Sequence, residues 1–396
     1  NNYALLDSRS YYCCHGSNFR TSQLMKKQGF DKIFFGIVIV LLVIGVVMFT
    51  SASLGILAKN EAKFYSVIFA QFAFGLCGGL VALYIGYKIP YKFWREYSLL
   101  IFIASIIVTL LVFVPTLGSL HGGARRWINI FGISFQPVEL LKIGFIMYFA
   151  AWLSWVKNRI TDMRFSILPL LVLISIITII LLKQPDTKSI ILIIFTAIVM
   201  LFVAGLPWKY ILGIIGVSLV GVAILLAFKP YLMERVNTFI HPSQNSSGAS
   251  YQLQQSLIAI GSGGVFGRGL GQSIQKFNYL PEPQGDSIFA VLGEELGFFG
   301  TVILIFLYVA FALRGYKISS RAPDSFSKLL VLGIVTMITA QSFMNIASII
   351  GVFPLTGVPL VFISHGGTAL FLSLGMIGIV LNVSGQTKKQ SLSTSK

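Results

Sequence analysis

Residues 33–54 read IFFGIVIVLLVIGVVMFTSASL, a run without a single charged side chain. A transmembrane α-helix needs about 20 consecutive apolar residues, so this stretch predicts a membrane span. Runs of the same kind recur along the chain, whereas the strands of a membrane β-barrel would show alternation over only about 10 residues. The sequence therefore predicts an all-α, polytopic membrane protein.

Ten such runs are bounded by charged residues, proline or glycine. The predicted transmembrane helices are 33–54, 65–87, 98–117, 140–156, 167–182, 189–206, 211–228, 287–313, 329–350 and 367–383. Because nine spans follow the first, we interpret the first as a retained helix and not as a cleaved signal peptide. A ten-helix membrane domain is thus predicted over residues 33–384.

The composition excludes most soluble classes of protein. Apolar residues make up 56% of the 396 residues and charged residues 11%, against about 25% charged residues in soluble domains. The mean hydropathy is +0.84. So few charged side chains cannot cover a water-facing surface, which excludes a soluble enzyme and a disordered tail. Cys13, Cys14 and Cys77 are too few and badly placed for a disulfide framework or a zinc site.

The net charge of +17 follows the positive-inside rule and does not indicate a nucleic-acid partner, because the basic residues cluster in short loops between apolar spans. With the N-terminus in the cytoplasm, 19 of the 30 Lys and Arg residues lie inside. Both termini are therefore predicted to be cytoplasmic. Residues 229–285 become a long extracytoplasmic loop between helices seven and eight, with amphipathic helices at 231–240 and 251–261.

The ends of the chain are predicted to be tails. Residues 1–24 begin without Met and resemble nothing that follows, so we interpret them as an extension within a cytoplasmic N-terminal tail, residues 1–32. Residues 385–396 form the cytoplasmic C-terminal tail.

Several charged residues lie in or beside the outer segments. Glu139 and Lys142 share a helix face at the outer boundary, as an interfacial ion pair with Lys142 reaching to water or as a functional pair. Asp286 precedes an apolar run, which suits a helix N-cap as well as a catalytic carboxylate. Glu294 and Glu295 follow, about 12–13 Å into the membrane, where carboxylates are functional or paired with a cation.

Other polar residues are open to two interpretations. Arg125 and Arg126 fit a membrane interface or a lipid diphosphate. Lys183, Asp186 and Lys188 either supply partners for the membrane carboxylates or bracket a turn at Pro185. His365 fits a hydrogen-bonded interfacial histidine better than a catalytic one, and Gln341 and Asn345 are predicted to make helix–helix hydrogen bonds.

Four blocks of sequence resemble one family. They are GARRWINIFGISFQPVELLK (123–142), KQPDTKSIILIIFTAIVMLFVAGLP (183–207), YQLQQSLIAIGSGGVFGRGLGQSIQKFNYLPEPQGDSIFAVLGEELGFFG (251–300) and FPLTGVPLVFISHGGTALF (353–371). Together they look like the signature blocks of the SEDS proteins (shape, elongation, division and sporulation), and the resemblance runs from about residue 33 to 384. The SIQK and YLPEP wording looks like the FtsW division branch and its sporulation relative more than the elongation protein RodA.

The resemblance implies a peptidoglycan glycosyltransferase that polymerises lipid II at the outer face of the bacterial cytoplasmic membrane, for septal cell-wall synthesis. It implies that Asp286 is the essential catalytic residue and that Glu139 and Lys142 assist it. The candidate substrate-binding residues are Arg125, Arg126, Lys183 and Lys276. The implied partners are a class B penicillin-binding transpeptidase and other divisome proteins. No cofactor is certain, although a divalent cation at the diphosphate fits the chemistry.

This chain departs from the family wording at five positions. The family commonly reads PEPHTDFIF, FISYGG and FQPSE, whereas this chain has Gln284, Gly285, Ser287, His365 and Val138 at the differing positions. The Asp, Glu and Lys of the motifs are retained, so the departures bear on side-chain detail and not on the reaction.

Three alternative functions remain at the level of sequence. A lipid II flippase or transporter also accounts for intramembrane carboxylates, but the chain lacks an evident inverted repeat and its polar residues gather at one face. A non-catalytic scaffold for the septal machinery is a second alternative. A RodA-like elongation polymerase is a third.

Overall fold

The structure is a computed structural model that describes residues 29–58, 60–121, 124–130, 133–241 and 248–386. The predicted extension, residues 1–24, and the C-terminal tail beyond residue 386 lie outside the described residues.

The first half of the chain begins with α1 (Lys32–Leu57), which Asp31 caps by accepting a hydrogen bond from the Phe34 N–H. The second span combines α2 (Glu61–Phe69), a π-helical segment (Ala70–Gly78) and α3 (Gly79–Lys88). The elements that follow are α4 (Tyr91–Glu96), α5 (Ser98–Leu110), β1 (Gly118–His121), β2 (Ala124–Ile130), β3 (Ile133–Phe135), α6 (Pro137–Trp155) and α7 (Met163–Lys183).

The second half is almost wholly helical. It contains α8 (Thr187–Ala204), α9 (Trp208–Phe228), α10 (Pro230–Ile240), α11 (Ala249–Ser262), α12 (Gln275–Asn278), α13 (Ile288–Ser320), α14 (Ser325–Ile349) and α15 (Gly367–Ser384). α10 and α11 coincide with the two amphipathic helices predicted in the long loop.

The polytopic helical fold class is confirmed. Within the described ranges, nine helices are long and apolar enough to cross a membrane, and a tenth apolar helix, Ser98–Phe113, is shorter. It corresponds to the predicted span 98–117, which ends early because Pro115 disfavours helical geometry in the residue before it. Val114 is accordingly extended, with φ −72° and ψ 120°. The ten-span topology stays a prediction.

A small sheet lies between α5 and α6, where no strand was predicted. Its three antiparallel strands are ordered β1-β2-β3. Ser119 pairs with Trp127 across the first two strands, and Ile128 pairs with Phe135 across the next two. The strands carry the Arg-Arg-Trp motif, so the sheet sets where the two arginines project.

The core is formed around α14. About 78% of the residues in its apolar 18-residue stretch are buried, against 6% for α9. α14 packs on α6, α8, α13 and α15, whereas α9 borders α8 and α10 at the edge of the bundle. The centre of the fold therefore faces segment 351–366 through the end of α14.

α13 bends sharply at Gly297, which has φ 66° and ψ −162°. The bend lets residues 264 and 265 accept backbone hydrogen bonds from Phe298 and Phe299. A β-carbon at Gly297 would lie 2.3 Å from the Gly267 nitrogen, so both the backbone angle and the close approach require glycine. This contact fixes the glycine-rich end of the long loop against α13.

Candidate active site

Asp286 lies where the long loop, residues 229–285, meets α13. The helix begins at Ile288 with Ser287 at the cap position, and no side chain there accepts a hydrogen bond from the first turn. The N-cap interpretation of Asp286 is therefore wrong. The Asp286 side chain is half-buried, and a β-carbon on Gly357 would come within 2.9 Å of its Oδ2 atom. The carboxylate thus lies directly against the 351–366 segment.

The backbone of Asp286 is held from α14. Asn345 Nδ2 donates to the Asp286 carbonyl at 2.8 Å and to the Val358 carbonyl at 2.7 Å. One turn earlier, Gln341 Oε1 accepts a hydrogen bond from Lys142 Nζ at 2.7 Å. Gln341 therefore makes the predicted helix–helix contact, whereas Asn345 ties together two non-helical segments that meet at the carboxylate.

Glu139 and Lys142 form the ion pair that their spacing predicts. Lys142 Nζ lies 2.7 Å from Glu139 Oε2, and the two residues are 3% and 7% exposed. Lys142 does not reach water, so the interfacial interpretation is wrong. Among the described residues, Glu139 is the carboxylate within ion-pair distance of Lys142. Lys142 also bonds Gln341, which lies one turn of α14 before Asn345, the residue that holds the Asp286 backbone.

Arg126 holds the turn between α7 and α8. Its Nε donates to the Gln184 carbonyl at 2.8 Å, and its Nη2 donates to the Pro185 carbonyl at 2.6 Å. Arg125 is exposed on the neighbouring position of β2, and Lys183 is exposed at the last residue of α7. The structure therefore brings Arg126 into contact with the turn at residues 184–186, whereas Arg125 and Lys183 are exposed.

Asp186 and Lys188, just after that turn, have separate environments. Asp186 is 1% exposed and accepts a hydrogen bond from the Ser189 hydroxyl at 2.8 Å. Its Oδ1 atom has no hydrogen-bond partner within the described part of the chain. Lys188 Nζ donates to the Gly357 carbonyl, the same residue that packs against Asp286.

Arg235 on α10 is a site residue that the sequence did not single out. Its Nη1 donates to the carbonyls of Leu355 and Thr356 at 2.9 and 3.2 Å. Burial and the charge of Arg126 lower the pKa of the Arg235 guanidinium, while Asp286 and Asp186 act in the opposite direction. The charge of Arg235 therefore acts on the same region as both carboxylates. In the sequence it was one cation among several in a long loop.

An apolar cavity of about 480 Å³ opens beside these residues. Its walls are formed mainly by the apolar side chains of α7, α8 and α9, including Ile174, Ile191 and Val222. Its polar end carries four side chains, those of Thr187, Lys188, Arg235 and Thr356. The cavity thus joins a hydrocarbon-like space to a cationic end close to Asp286.

The two membrane glutamates have partners other than those predicted. Glu295 Oε1 lies 2.7 Å from Lys276 Nζ, with both side chains fully buried, and Ser51 donates to the same carboxylate at 2.7 Å. Glu294 accepts hydrogen bonds from the Ser273 hydroxyl at 2.6 Å and from two backbone N–H groups. The prediction that Lys183 or Lys188 pairs with these glutamates is wrong.

The same contacts correct the assignment of Lys276 to substrate binding. Its ammonium donates hydrogen bonds to Glu295, the Ser51 hydroxyl and the Gly271 carbonyl, at 2.7, 3.0 and 2.9 Å. The residue is 2% exposed. Lys276 therefore fastens the 229–285 loop to α1 and α13, and it presents no donor to a ligand.

His365 is held through its backbone and not through its ring. Its N–H donates to the Gln284 carbonyl at 2.7 Å, and its ring stacks on Phe49 at 5.9 Å. The Nε2 atom is buried without a partner among the described residues, so the expectation of a hydrogen-bonded ring is wrong for this nitrogen. Burial lowers the pKa of His365 to about 4, which keeps the ring neutral at pH 7.

The described ranges contain no group of three or more His, Cys, Asp or Glu side chains arranged to hold a metal ion. A divalent cation at the diphosphate would need ligands from the substrate as well as from the protein. That expectation stays untested.

Comparison with known proteins places the chain among peptidoglycan-related membrane proteins. It is 36% identical over 361 residues to a probable peptidoglycan glycosyltransferase FtsW of Geobacter sp. (strain M18), covering 91% of this chain and 98% of that protein. It is 38% identical over 363 residues to the stage V sporulation protein E of Bacillus subtilis (strain 168), with coverage of 91% and 98%.

Solved structures agree. A chain of a peptidoglycan synthase complex that coordinates polymerization and crosslinking superposes with a TM-score of 0.75 at 26% identity, covering 91% of this chain and 99% of that one. The rod shape determining protein RodA of Thermus thermophilus gives a TM-score of 0.65 at 26% identity, with coverage of 90% and 96%. The family model of FtsW, RodA and SpoVE, described as cell cycle proteins, matches residues 31–389. The chain therefore belongs to the FtsW, RodA and SpoVE family of cell cycle proteins.

Proposed function

We propose that the chain is a peptidoglycan glycosyltransferase that polymerises lipid II into glycan strands at the outer face of the cytoplasmic membrane. Family membership and the activity named for its FtsW relatives support this reaction. The observation that carries it to particular residues is the position of the Asp286 carboxylate, half-buried against Gly357 beside a cavity with a cationic end.

Asp286 acts as the general base. The 4-hydroxyl of GlcNAc in one lipid-linked disaccharide is a poor nucleophile at neutral pH, and a positioned carboxylate removes its proton as the oxygen attacks the anomeric carbon of MurNAc in another. The new glycosidic bond forms as the bond to the polyprenyl diphosphate breaks. The electron pair leaves with the diphosphate.

The Glu139–Lys142 pair supports this site through α14. Lys142 bonds Gln341, and the next turn of α14 presents Asn345 to the Asp286 carbonyl. The pair therefore positions α14, which in turn holds the Asp286 backbone through Asn345. Arg125 and Lys183, exposed at the outer boundary, contact the headgroup of an incoming lipid, and Arg126 supports the turn that precedes Lys188.

The cellular role follows from the resemblance to the division branch. We place the protein at the septum, in a complex with a class B penicillin-binding transpeptidase and other divisome proteins. A structural neighbour belongs to a complex that couples polymerization to crosslinking, which supports a partner of this kind.

The proposed topology puts Asp286 and the 229–285 loop outside and both termini inside. Cysteines introduced singly at the exposed positions Glu282 and Lys183, in a Cys-free background, should react with an impermeant thiol reagent added to intact cells. Cysteines that replace Lys92 and Lys157 should react only after the cells are lysed. External labelling at position 157 would contradict the ten-span arrangement.

The function is tested by supplying the purified protein and its transpeptidase partner with labelled lipid II in liposomes. Glycan polymer that separates as a ladder on a gel is the expected product. Translocation of lipid II without polymer would instead support the transporter, and neither activity in a protein that binds its partner would support the scaffold.

A further inference from the structure

The cationic end of the cavity contains two cations that form no ion pair within the described ranges of the chain. Arg235 and Lys188 both line it. The ion pairs in the described residues are Lys142–Glu139, Arg268–Glu294, Lys276–Glu295 and Arg314–Asp31, and neither cation takes part in any of them. Two neighbouring cations without an ion-pair partner favour binding of a multivalent anion.

Both cations are held in place by one stretch of backbone. Arg235 donates to the carbonyls of Leu355 and Thr356, and Lys188 donates to the carbonyl of Gly357. Carbonyl contacts fix the two side chains without cancelling their charges. An arginine has five N–H donors, so the donors that Arg235 does not use here are available to a ligand.

The distance between the Lys188 ammonium and the Asp286 carboxylate is bounded by their shared contact with Gly357. A β-carbon at Gly357 would be 2.9 Å from Asp286 Oδ2 and 3.8 Å from Lys188 Nζ. The carboxylate and the ammonium therefore flank the same glycine and lie within about 7 Å of each other, close enough to act on the same reacting centre.

This spacing indicates which part of the substrate the cations would contact. In a single displacement, the attacking hydroxyl and the departing diphosphate stand on opposite sides of the anomeric carbon. With Asp286 at the hydroxyl, Lys188 and Arg235 would face the leaving group. The apolar walls behind them, formed by α7, α8 and α9, suit a hydrocarbon chain attached to that group.

We propose that Lys188 and Arg235 form the diphosphate-binding site of the donor substrate, with the first part of its polyprenyl chain in the apolar cavity. This inference rests on the proposed function, since it takes Asp286 as the base. As the glycosidic bond forms, the bond from the anomeric carbon to the diphosphate oxygen breaks and the diphosphate keeps the electron pair. The proton of the hydroxyl passes to Asp286, and the two cations stabilise the charge on the departing diphosphate.

The test measures binding of the reaction product and does not require turnover. A radiolabelled polyprenyl diphosphate is titrated into the full chain in detergent micelles. Lys188→Met and Arg235→Gln should each weaken binding by about tenfold or more, because each removes charged hydrogen bonds to phosphate, and the double variant should weaken it further. Lys229→Met is the matched control, since Lys229 is an exposed cation just before α10 and should bind as the wild type does.

Two further arms separate the parts of the site. Ser218→Trp on α9 should fill part of the cavity. It should weaken binding of the polyprenyl diphosphate and leave the affinity for inorganic diphosphate unchanged. The corresponding polyprenyl alcohol should bind weakly and show no dependence on Lys188 or Arg235. Inorganic diphosphate that binds as tightly as the lipid form would overturn the role of the cavity.

Asp286→Asn distinguishes this inference from the proposed function. That variant should bind the polyprenyl diphosphate at least as tightly as the wild type, because Asp286 acts on the hydroxyl and its negative charge near Lys188 opposes binding of an anion. Wild-type affinity in the Lys188→Met/Arg235→Gln variant, with an unchanged melting temperature, would refute the diphosphate site. Wild-type polymerisation by Asp286→Asn would refute the base and leave the binding result intact.

Discussion

Asn345 donates its side-chain amide to the main-chain carbonyl of Asp286 at 2.8 Å and to that of Val358 at 2.7 Å. One neutral side chain on the most buried membrane helix thus fixes both segments that flank the proposed base. We therefore expect Asn345→Ala to lower polymerisation by about 10- to 100-fold, because small displacements of a catalytic group carry penalties of that size.

The same Asn345→Ala variant should leave the protein folded but less stable. Two buried carbonyls lose their donor, at a cost of about 1–3 kcal/mol each. Initial rates at saturating lipid II and the melting temperature in detergent give the two readouts. Ser348→Ala, one turn nearer the helix end and bonded within its own helix, serves as the control. A wild-type rate in Asn345→Ala would show that the carbonyl clamp does not position Asp286.

Replacement of Asp286 by Asn separates chemistry from structure. The amide keeps the shape of the side chain against Gly357 but cannot accept a proton, so turnover should fall by about 10²- to 10⁴-fold. Because Ser287 and not Asp286 stands at the cap of α13, helix stability should not change. Rates of glycan synthesis and co-purification of the transpeptidase partner measure the two effects. Polymerisation near the wild-type rate would remove Asp286 from the mechanism.

Lys276→Met tests whether this lysine binds substrate or stabilises the loop. Removing one partner of a buried ion pair typically costs about 3–5 kcal/mol, because the other charge stays buried and unpaired. The Lys276–Glu295 pair is fully buried, so we expect a large drop in melting temperature. Lys276→Met/Glu295→Leu should recover much of that loss. A raised KM for lipid II at unchanged stability would restore Lys276 to the binding site.

Asp31, at the start of α1, should make the stability of the protein depend on pH. Burial raises the pKa of its carboxyl, but hydrogen bonds and charge from Arg314, together with the Phe34 N–H, lower it below 3.8 overall. A carboxyl with a depressed pKa contributes stability that is present above its unfolded pKa and is lost as the pH falls through the folded value. The effect should be modest, about 1 kcal/mol or less, because the pair is partly exposed.

Asp31→Asn isolates that ion pair, since Asn caps a helix about as well as Asp. The wild type should lose stability as the pH falls below about 4, and Asp31→Asn should show less of this loss. Melting temperatures in detergent between pH 3 and pH 7 provide the comparison. Parallel curves for the two proteins would show that the Asp31–Arg314 contact contributes nothing in this range.

The sequence by itself determined the spans and the local pairs. In a bilayer every backbone polar group must be satisfied within the segment, so long apolar runs have few alternatives to helix. The Glu139–Lys142 ion pair could also be predicted from the sequence, because residues three apart share a helix face. The third span shows the limit, since Pro115 shortens a helix that hydropathy alone extended to residue 117.

Only the tertiary structure decided which distant charges meet. Lys276 is 19 residues from Glu295 along the chain and touches it, whereas Lys183 was a predicted partner for the glutamates and faces outwards. Arg235 on α10 reaches the site through hydrogen bonds to the carbonyls of Leu355 and Thr356. Hydropathy specifies which segments enter the membrane but not which helix faces pack together, because lipid-facing and protein-facing surfaces are both apolar. The packing of α14 against the segments that contain Asp286 and Val358 therefore fixes the surroundings of Asp286, and no local pattern in the sequence encodes it.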